Sequence, residues 1–244
     1  MRRAALFARG YPATPTFTRK SSFDISLSGG YFSNGPQALR SIANVPNSQY
    51  AWTATSLGSD PLRRFRELDL DSRSFTTDFI EAPTQTGNNS VSFATENSLY
   101  GLSGSVSAGF HRDIVSSGDT AAATIVSNWD KTFAASDGDK IWTAKGRVLN
   151  VSDGLADSSL AISGITYNGV FLTDYFVYFV DDANDQCVPY IKKNSERRSE
   201  ADFSIGTPPL SVWRNVATYN EYIWILSFPS TSAVSSQLVC WEIS

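Results

Sequence analysis

Histidine and cysteine are scarce in this chain, which has one histidine, His111, and two cysteines, Cys187 and Cys240. A zinc site needs several nitrogen or sulfur ligands, and neither cysteine belongs to a close pair or to a histidine-containing motif. A catalytic triad would have to use His111, which lies in a predicted third strand, away from any central channel. We therefore expect no metal and no cofactor, and we interpret both cysteines as reduced, partly buried thiols.

The sequence also lacks a strong excess of one charge and a long apolar run. The net charge is −4 and the basic residues are scattered, which argues against a nucleic-acid partner and against an anionic membrane surface. The longest apolar run, residues 169–180, is interrupted by Asp174 and is too short to span a bilayer. Only five small or apolar residues separate Arg3 from Arg9, so we expect no secretion signal and no membrane anchor.

Helical periodicity is the third absence, because no long segment has apolar residues at three-to-four spacing. Instead, short β-branched and aromatic runs are separated every eight to twelve residues by Gly, Asn, Asp, Ser or Pro. This pattern predicts an all-β sandwich, barrel or propeller.

The strand pattern repeats five times. The segments QYAWTATS, SLYGLSGS, DKIWTAKG, DYFVYFVD and EYIWILSF are versions of one strand, and their central aromatic residues lie 48, 42, 36 and 46 positions apart. A strand is predicted before each segment and another after it. In four repeats a fourth strand follows: FTTDFIEA, AAATIVS, SLAISG and ADFSIG. The fifth repeat has no fourth strand before the sequence ends.

A matching strand, FDISLSG (Phe23–Gly29), precedes the first complete repeat. Four-stranded repeats of about 40–45 residues are typical of propellers. The chain therefore resembles the β-propeller superfamily, as a five-bladed propeller whose N-terminal strand completes the last blade. This interpretation gives a basic arm, residues 1–22, and one propeller domain, residues 23–244. The Gly-His and Trp-Asp pairs of Trp-Asp-repeat propellers are missing, and so is the double glycine of kelch repeats. The resemblance implies that ligands bind over the central channel, on the face that carries the loops between blades.

Carboxylates are considered next because five-bladed glycosidases place acidic residues in the channel. Only Asp130 stands near such a position. The other acids lie at turns after the predicted inner strands, where they could form a cation-binding ring: Glu96, Asp137, Asp139, Asp174 and Glu221. Because Asp and Asn are favoured in tight turns for backbone reasons, we prefer the turn interpretation. On this basis the chain is predicted not to be an enzyme.

The predicted loops between blades combine amides with aromatic residues: GGYFSNGPQ, EAPTQTGNN and SNWDK. Aromatic faces beside amide groups suit sugars, which offer apolar ring faces and many hydroxyls. The candidate ligand-binding residues are Tyr31, Asn34, Asn88, Asn89 and Trp129. The alternative is that Trp129 fills a gap between blades and that the amides are turn residues.

The predicted arm carries Arg2, Arg3, Arg9, Arg19 and Lys20 and no acidic residue, so residues 23–244 carry −4 − (+5) = −9. This complementarity favours docking of the arm on a neighbouring subunit. The competing hypothesis is that the arm covers apolar surface on its own blade five.

Two classes of function fit the sequence best. The first is a non-enzymatic structural or adaptor component of a phage virion, a tail or capsid-associated protein. The chain resembles such proteins in its Ser, Thr and Asn content, its single Met and its single His. Its partners would be other protein subunits. It would be made in the cytoplasm and located in the virion; the alternative is a cytoplasmic location. The alternative is a lectin-like propeller that binds cell-surface glycans. A glycosidase-like enzyme is the third hypothesis.

Overall fold

The computed structural model describes residues 14–27, 37–55, 64–81, 90–103, 108–113, 129, 132–229 and 235–244. Over these residues the chain forms strands and one short 3-10 helix, Ser199–Ala201, with no α-helix. Among the same residues, no helix is long and apolar enough to cross a membrane.

The first strand is β1 (Phe17–Leu27), and the later strands fall into five consecutive groups, which we call blades one to five. Blade one contains β2 (Gln37–Asn44), β3 (Tyr50–Thr55), β4 (Arg64–Asp69) and β5 (Ser74–Glu81). Blade two contains β6 (Ser90–Ala94), β7 (Ser98–Ser103) and β8 (Ala108–Asp113). Blade three contains β9 (Ala134–Ser136), β10 (Lys140–Thr143) and β11 (Val148–Asn150). Blade four contains β12 (Gly169–Leu172), β13 (Phe176–Asp181), β14 (Gln186–Ile191) and β15 (Phe203–Ser204). Blade five contains β16 (Val212–Tyr219), β17 (Tyr222–Phe228) and β18 (Ser236–Ile243).

The blades are arranged in a ring. Strands within each blade pair antiparallel in sequence order, and the first strand of each blade, the inner strand, contacts the inner strands of the two neighbouring blades. The hydrophobic core is correspondingly divided into five clusters, each between two neighbouring blades. Both faces of the blades are therefore buried, which explains why the second strands read as nearly continuous apolar runs such as YIWILSF.

The N-terminal strand completes blade five. β1 pairs antiparallel with β18, from Phe17 opposite Ile243 to Ile25 opposite Ser236. Thr16 continues the pairing, because its N–H donates to Ser244 O at 2.7 Å and its carbonyl accepts from Ser244 N at 2.9 Å. The all-β propeller closed by the N-terminal strand is thus confirmed, while the number of blades for the whole chain stays a prediction.

Three outer strands differ from the sequence prediction. β1 begins at Phe17 rather than at Phe23, so it includes part of the predicted arm. ADFSIG forms only the two-residue strand β15. SLAISG forms turns and irregular backbone instead of a strand, because the Asp157 carboxylate accepts hydrogen bonds from the Ser159 N–H and hydroxyl. Such local side-chain bonds compete with a sheet ladder. AAATIVS lies outside the described residues.

Candidate functional site

A cavity of about 690 Å³ lies at one end of the ring, where the inner strands β2, β9, β12 and β16 lead into their second strands. We call this cavity the axial bowl. Its lining comes from blades one, three, four and five and from Pro15, which precedes β1: Pro15, Asn44, Pro46, Asn47, Ser48, Ser136, Asp137, Leu172, Thr173, Asp174, Tyr175, Phe176, Lys192, Thr218, Tyr219, Asn220, Glu221 and Ile243.

Below the bowl the described side chains of the inner strands pack closely. A space of about 20 Å³, room for about one water molecule, continues toward the centre of the ring. Asn44, Ser136, Leu172 and Thr218 line both spaces, and the deeper one is surrounded mainly by apolar side chains such as that of Phe171. The bowl therefore has a largely apolar floor and a polar rim.

The rim is acidic overall. Asp137, Asp174, Glu221 and Lys192 line it, so their formal charge is −3 + 1 = −2. Lys192 Nζ lies 3.3 Å from Asp137 Oδ2, and Asp137 Oδ1 accepts from the N–H groups of Asp139 and Lys140. The predicted turn role of Asp137 is thus observed. Asp174 and Glu221 are exposed and make no ion pair with any other described residue.

The same rim carries aromatic and amide groups. Tyr175 is 60% exposed and Tyr219 is partly buried. Asn47 and Asn220, both exposed, occupy the left-handed backbone region with φ of 57° and 53° in the turns after β2 and β16. Asn is one of the few residues that adopt this conformation readily, which accounts for its place in these tight turns. Sequence analysis grouped only the acids of these turns as a possible ring. It did not predict the tyrosines and amides as part of a site, because their turn role gives no sign of ligand binding.

Of the predicted sugar-binding residues, only Trp129 is among those that the structure describes; Tyr31, Asn34, Asn88 and Asn89 are outside them. Trp129 is 2% exposed. Its Nε1 donates to Thr132 O at 3.0 Å, and its ring meets Phe93 edge-on at 5.5 Å, between blades two and three. The structure therefore places this indole in the core, as the alternative in the sequence analysis had it, and does not bring it to the bowl.

Of the predicted docking cations, Arg2, Arg3 and Arg9 also lie outside the described residues. Arg19 and Lys20 belong to β1 and contact their own blade. Lys20 Nζ forms an ion pair with Glu242, and this hydrogen bond raises the pKa of Lys20. The Arg19 guanidinium lies 5.8 Å from the centre of the Trp241 ring.

The remaining candidates for chemistry do not assemble into a site in the part of the chain that is described. Burial raises the pKa of the Cys187 thiol, and it raises the pKa of Cys240 to about 11. Both thiols are therefore protonated near neutral pH and are poor nucleophiles. Among the described residues, no group of three or more His, Cys, Asp or Glu could hold a metal ion. Asp130 lies outside these residues.

Comparison with known proteins gives the fold. No profile of a known protein family matches the sequence, and no curated protein matches it. A solved structure described as a nidogen/laminin complex superimposes with a TM-score of 0.54 at 8% identity, over 85% of this chain and 86% of that one. The glutaminyl cyclase of Myxococcus xanthus superimposes with a TM-score of 0.50 at 9% identity, over 93% and 97% of the two chains. A virginiamycin B lyase from Staphylococcus aureus gives a TM-score of 0.46 at 14% identity, over 85% and 68%.

These comparisons correct one prediction. The chain was predicted not to be an enzyme, because familiar catalytic constellations were missing from its sequence. Glutaminyl cyclase is an enzyme, and it has a similar fold over nearly the whole of both chains, so that prediction is wrong as an inference from fold and composition. At 8–14% identity the likeness concerns the fold alone. By that fold, the chain is an all-β propeller.

Proposed function

We propose that the chain is a structural or adaptor subunit of a larger assembly, in which residues 1–14 of one copy dock in the axial bowl of a neighbouring copy. The observation that carries this proposal is the position of Pro15. Pro15 lines the bowl, and the next residue, Thr16, pairs with Ser244 at the end of blade five. Residues 1–14 therefore join the ring at the rim of the bowl.

Charge complementarity supports this occupant. Residues 1–14 carry Arg2, Arg3 and Arg9 and no acidic residue, whereas the bowl has a formal charge of −2 with Asp174 and Glu221 exposed. Opposite charges on two surfaces speed their encounter and disfavour wrong partners. Arg19 and Lys20 are excluded from this role because they contact Trp241 and Glu242 of their own blade.

Ring closure does not require the segment, because β1 completes blade five from Phe17 onward. The residue before a proline is biased toward extended backbone, so Thr14 favours an extended chain where the segment joins Pro15. Fourteen extended residues span at most about 50 Å, which is enough to reach the bowl of a second copy.

The proposal is tested by the mass of the protein in solution, measured by analytical ultracentrifugation at low and at high salt. We expect the full-length chain to self-associate at low salt and a chain without residues 1–14 to be monomeric. Charge reversal in the bowl (Asp174→Arg with Glu221→Arg) or in the segment (Arg2→Glu, Arg3→Glu and Arg9→Glu) should weaken association by about tenfold or more.

A mixture gives the sharpest measurement. The two charge-reversed proteins, each weak alone, should associate with each other because an acidic segment then meets a basic bowl. Asp71→Arg, a reversal at an exposed acid outside the bowl, is the matched control and should leave association unchanged. A full-length chain that is monomeric at both salt concentrations, or a mixture that does not associate, would exclude docking in the bowl of a neighbouring copy.

The virion setting is part of the same proposal and rests on composition. The chain has few charged residues, one Met and one His, a composition that resembles phage tail and capsid-associated proteins. Purified particles would contain the protein in a fixed ratio to other virion proteins, and mass spectrometry of such particles measures that ratio.

Glycan binding is the second candidate function. The exposed ring of Tyr175 and the amides of Asn47 and Asn220, which line the same bowl, favour it. Aromatic faces and amides together suit sugars. A glycan that binds the wild-type chain and not the Tyr175→Ala variant would place the function in this class. In that case the bowl binds a sugar, and removal of residues 1–14 leaves glycan affinity unchanged.

A further inference from the structure

Three inner strands carry a β-bulge at the same level. The pairing register shifts between Leu39 and Ser41 in β2, between Val91 and Phe93 in β6, and between Trp213 and Val216 in β16. A bulge changes the direction of a side chain and often lies beside a functional site. Arg40 of β2 and Arg214 of β16 occupy these irregular positions.

The two arginines lie on adjoining strands. Asn215 Oδ1 accepts a hydrogen bond from Ile42 N at 3.1 Å, and Asn215 Nδ2 donates to Ile42 O. This pair of bonds joins β16 to β2, immediately after Arg214 and two positions after Arg40. Both arginines lie in the first half of their strands, Arg40 fourth and Arg214 third of eight residues, whereas the axial bowl lies at the ends of the same strands. They are therefore at the end of the ring opposite the bowl.

The two guanidinium groups are incompletely neutralised. Both side chains are partly buried, and neither forms an ion pair within the described part of the chain. The Nε atoms of both are buried and have no hydrogen-bond partner among these residues. The Arg214 guanidinium lies over the ring of Phe228, 4.5 Å from its centre.

Electrostatics agree with this geometry. Burial lowers the pKa of Arg40. Burial and then the positive charge of Arg40 lower the pKa of Arg214, while Asp182 raises it. Asp182 Oδ1 accepts from Trp213 N at 2.5 Å, so part of this carboxylate is already engaged. Arg40, Arg214 and Asp182 together carry a formal charge of +2 − 1 = +1.

We propose that Arg40 and Arg214 form a binding site for an oxyanion, a phosphate or carboxylate group, at the end of the ring opposite the axial bowl. Arginine presents several N–H donors in a planar fork that matches both kinds of oxyanion. A bound anion supplies hydrogen-bond acceptors and removes the repulsion between two like charges in a partly desolvated position. This site is independent of docking in the bowl.

The test compares inorganic phosphate, sulfate and acetate with chloride at matched ionic strength, using the melting temperature and isothermal titration calorimetry of the full-length chain. We expect saturable binding of an oxyanion and a higher melting temperature in its presence. Arg40→Gln and Arg214→Gln should each weaken this binding by about tenfold or more, since a hydrogen bond to a charged group is lost. Preference for phosphate over acetate would identify a phosphoryl group as the ligand chemistry, and the reverse a carboxylate.

Lys193→Gln is the control, because it removes one positive charge at an exposed position outside this site. It should bind the anion as the wild-type chain does. In chloride alone, Arg40→Gln should melt no lower than the wild-type chain, because it removes a like-charge repulsion. Equal melting of the wild-type chain in phosphate, sulfate, acetate and chloride would overturn the proposal, as would equal binding by the arginine variants and Lys193→Gln. If the glutamine variants do not fold, the wild-type titration and the Arg40→Lys variant replace them. Absence of oxyanion binding to the wild-type chain, or unchanged binding to Arg40→Lys, would then overturn the proposal.

Discussion

The backbone groups at the outer edge of a blade find hydrogen-bond partners in different ways in blade five and in blade three. Blade five has a full outer strand, β1, that pairs with β18 over most of its length. Blade three has three short strands and an irregular outer segment, residues 151–167. Backbone bonds hold this segment at separate points: Asp157 N donates to Val148 O, Ile162 N to Gly146 O, and Tyr167 N to Ala144 O, at 2.8–2.9 Å.

The outer layers of both blades also contribute apolar cover. In blade five, Phe17 stacks on Phe203 of blade four with ring centres 3.8 Å apart. In blade three, Ile162 is buried in the cluster between blades three and four. The comparison shows that a blade edge needs partners for its backbone groups and cover for its apolar surface, and that a regular strand is only one way to supply them.

Removal of β1 is the largest expected disruption of blade five. A chain without residues 1–27 would expose the edge of β18, including Trp241 and Val239, and an unpaired apolar edge promotes aggregation. We expect this chain to aggregate or to lose cooperative melting, as measured by size-exclusion chromatography and thermal denaturation. A chain without residues 1–14 keeps β1 and should melt as the full-length chain does. Soluble, cooperatively melting protein that starts at residue 28 would contradict the closing role of β1.

Gly146→Ala is the corresponding test of blade three. Gly146 has a φ of 78°, and an added Cβ would overlap the Ile162 carbonyl oxygen and lie 2.9 Å from Ile165 Cγ1. Because backbone atoms cannot move away cheaply, we expect a loss of about 3 kcal/mol or more in the free energy of unfolding, measured by urea denaturation. Gly164→Ala is the matched control: its φ is 74°, but nothing lies within 4 Å of the added Cβ. It should lose only about 1 kcal/mol, and equal losses at the two positions would exclude a role for the Ile162 contact.

The smallest expected effect concerns the pH dependence of the outer segment of blade three. The hydrogen bond from Lys140 Nζ, at 2.8 Å from Asp157 Oδ2, and those from Ser159 lower the pKa of Asp157 from 3.8 to about 2. Because the folded pKa lies below the unfolded one, the ionised carboxylate stabilises the fold above pH 4, and this contribution is lost as the pH falls toward 2. Asp157→Asn should therefore lower the melting temperature near neutral pH and by much less at pH 2.

Lys140→Met removes the partner and should show the same dependence on pH. A melting difference for Asp157→Asn that is the same at both pH values would show that the side chain acts through its shape or its turn and not through its charge.

The ring was predictable from sequence because its strands repeat at a regular spacing and carry apolar residues on both faces. The five aromatic residues that revealed the repeat all belong to clusters between blades: Trp52, Tyr100, Trp142, Tyr178 and Trp224. The outer layer was less predictable. Apolar and polar residues alternate in SLAISG as in a strand, but the hydrogen bonds between Asp157 and Ser159 hold the start of this segment in a turn. Lys20 reads as part of a basic arm, and its partner Glu242 is 222 positions away.

The candidate site was predictable only in part. Asp137, Asp174 and Glu221 were recognised as acids at equivalent turns, and all three line the axial bowl. Sequence could not show that the bowl also receives Tyr175, Lys192 and Pro15, because that depends on how the blades are arranged around the axis. The pairing of Arg40 with Arg214 depends on two bulges, which short-range sequence patterns do not reveal.

The bond between Thr16 and Ser244 has a consequence for synthesis on the ribosome. The two residues are 228 positions apart, and at 5–20 residues per second the ribosome needs roughly 11–46 s to add that many. During this time β1 lacks β18 and can pair only with β2, at Ser26 and Leu27. Its sequence, FTRKSSFDISL, places Arg19, Lys20 and Asp24 among the apolar residues, and charges within a strand oppose premature pairing with other chains. We therefore expect the charged residues of β1 to keep this strand soluble until β18 has been synthesised.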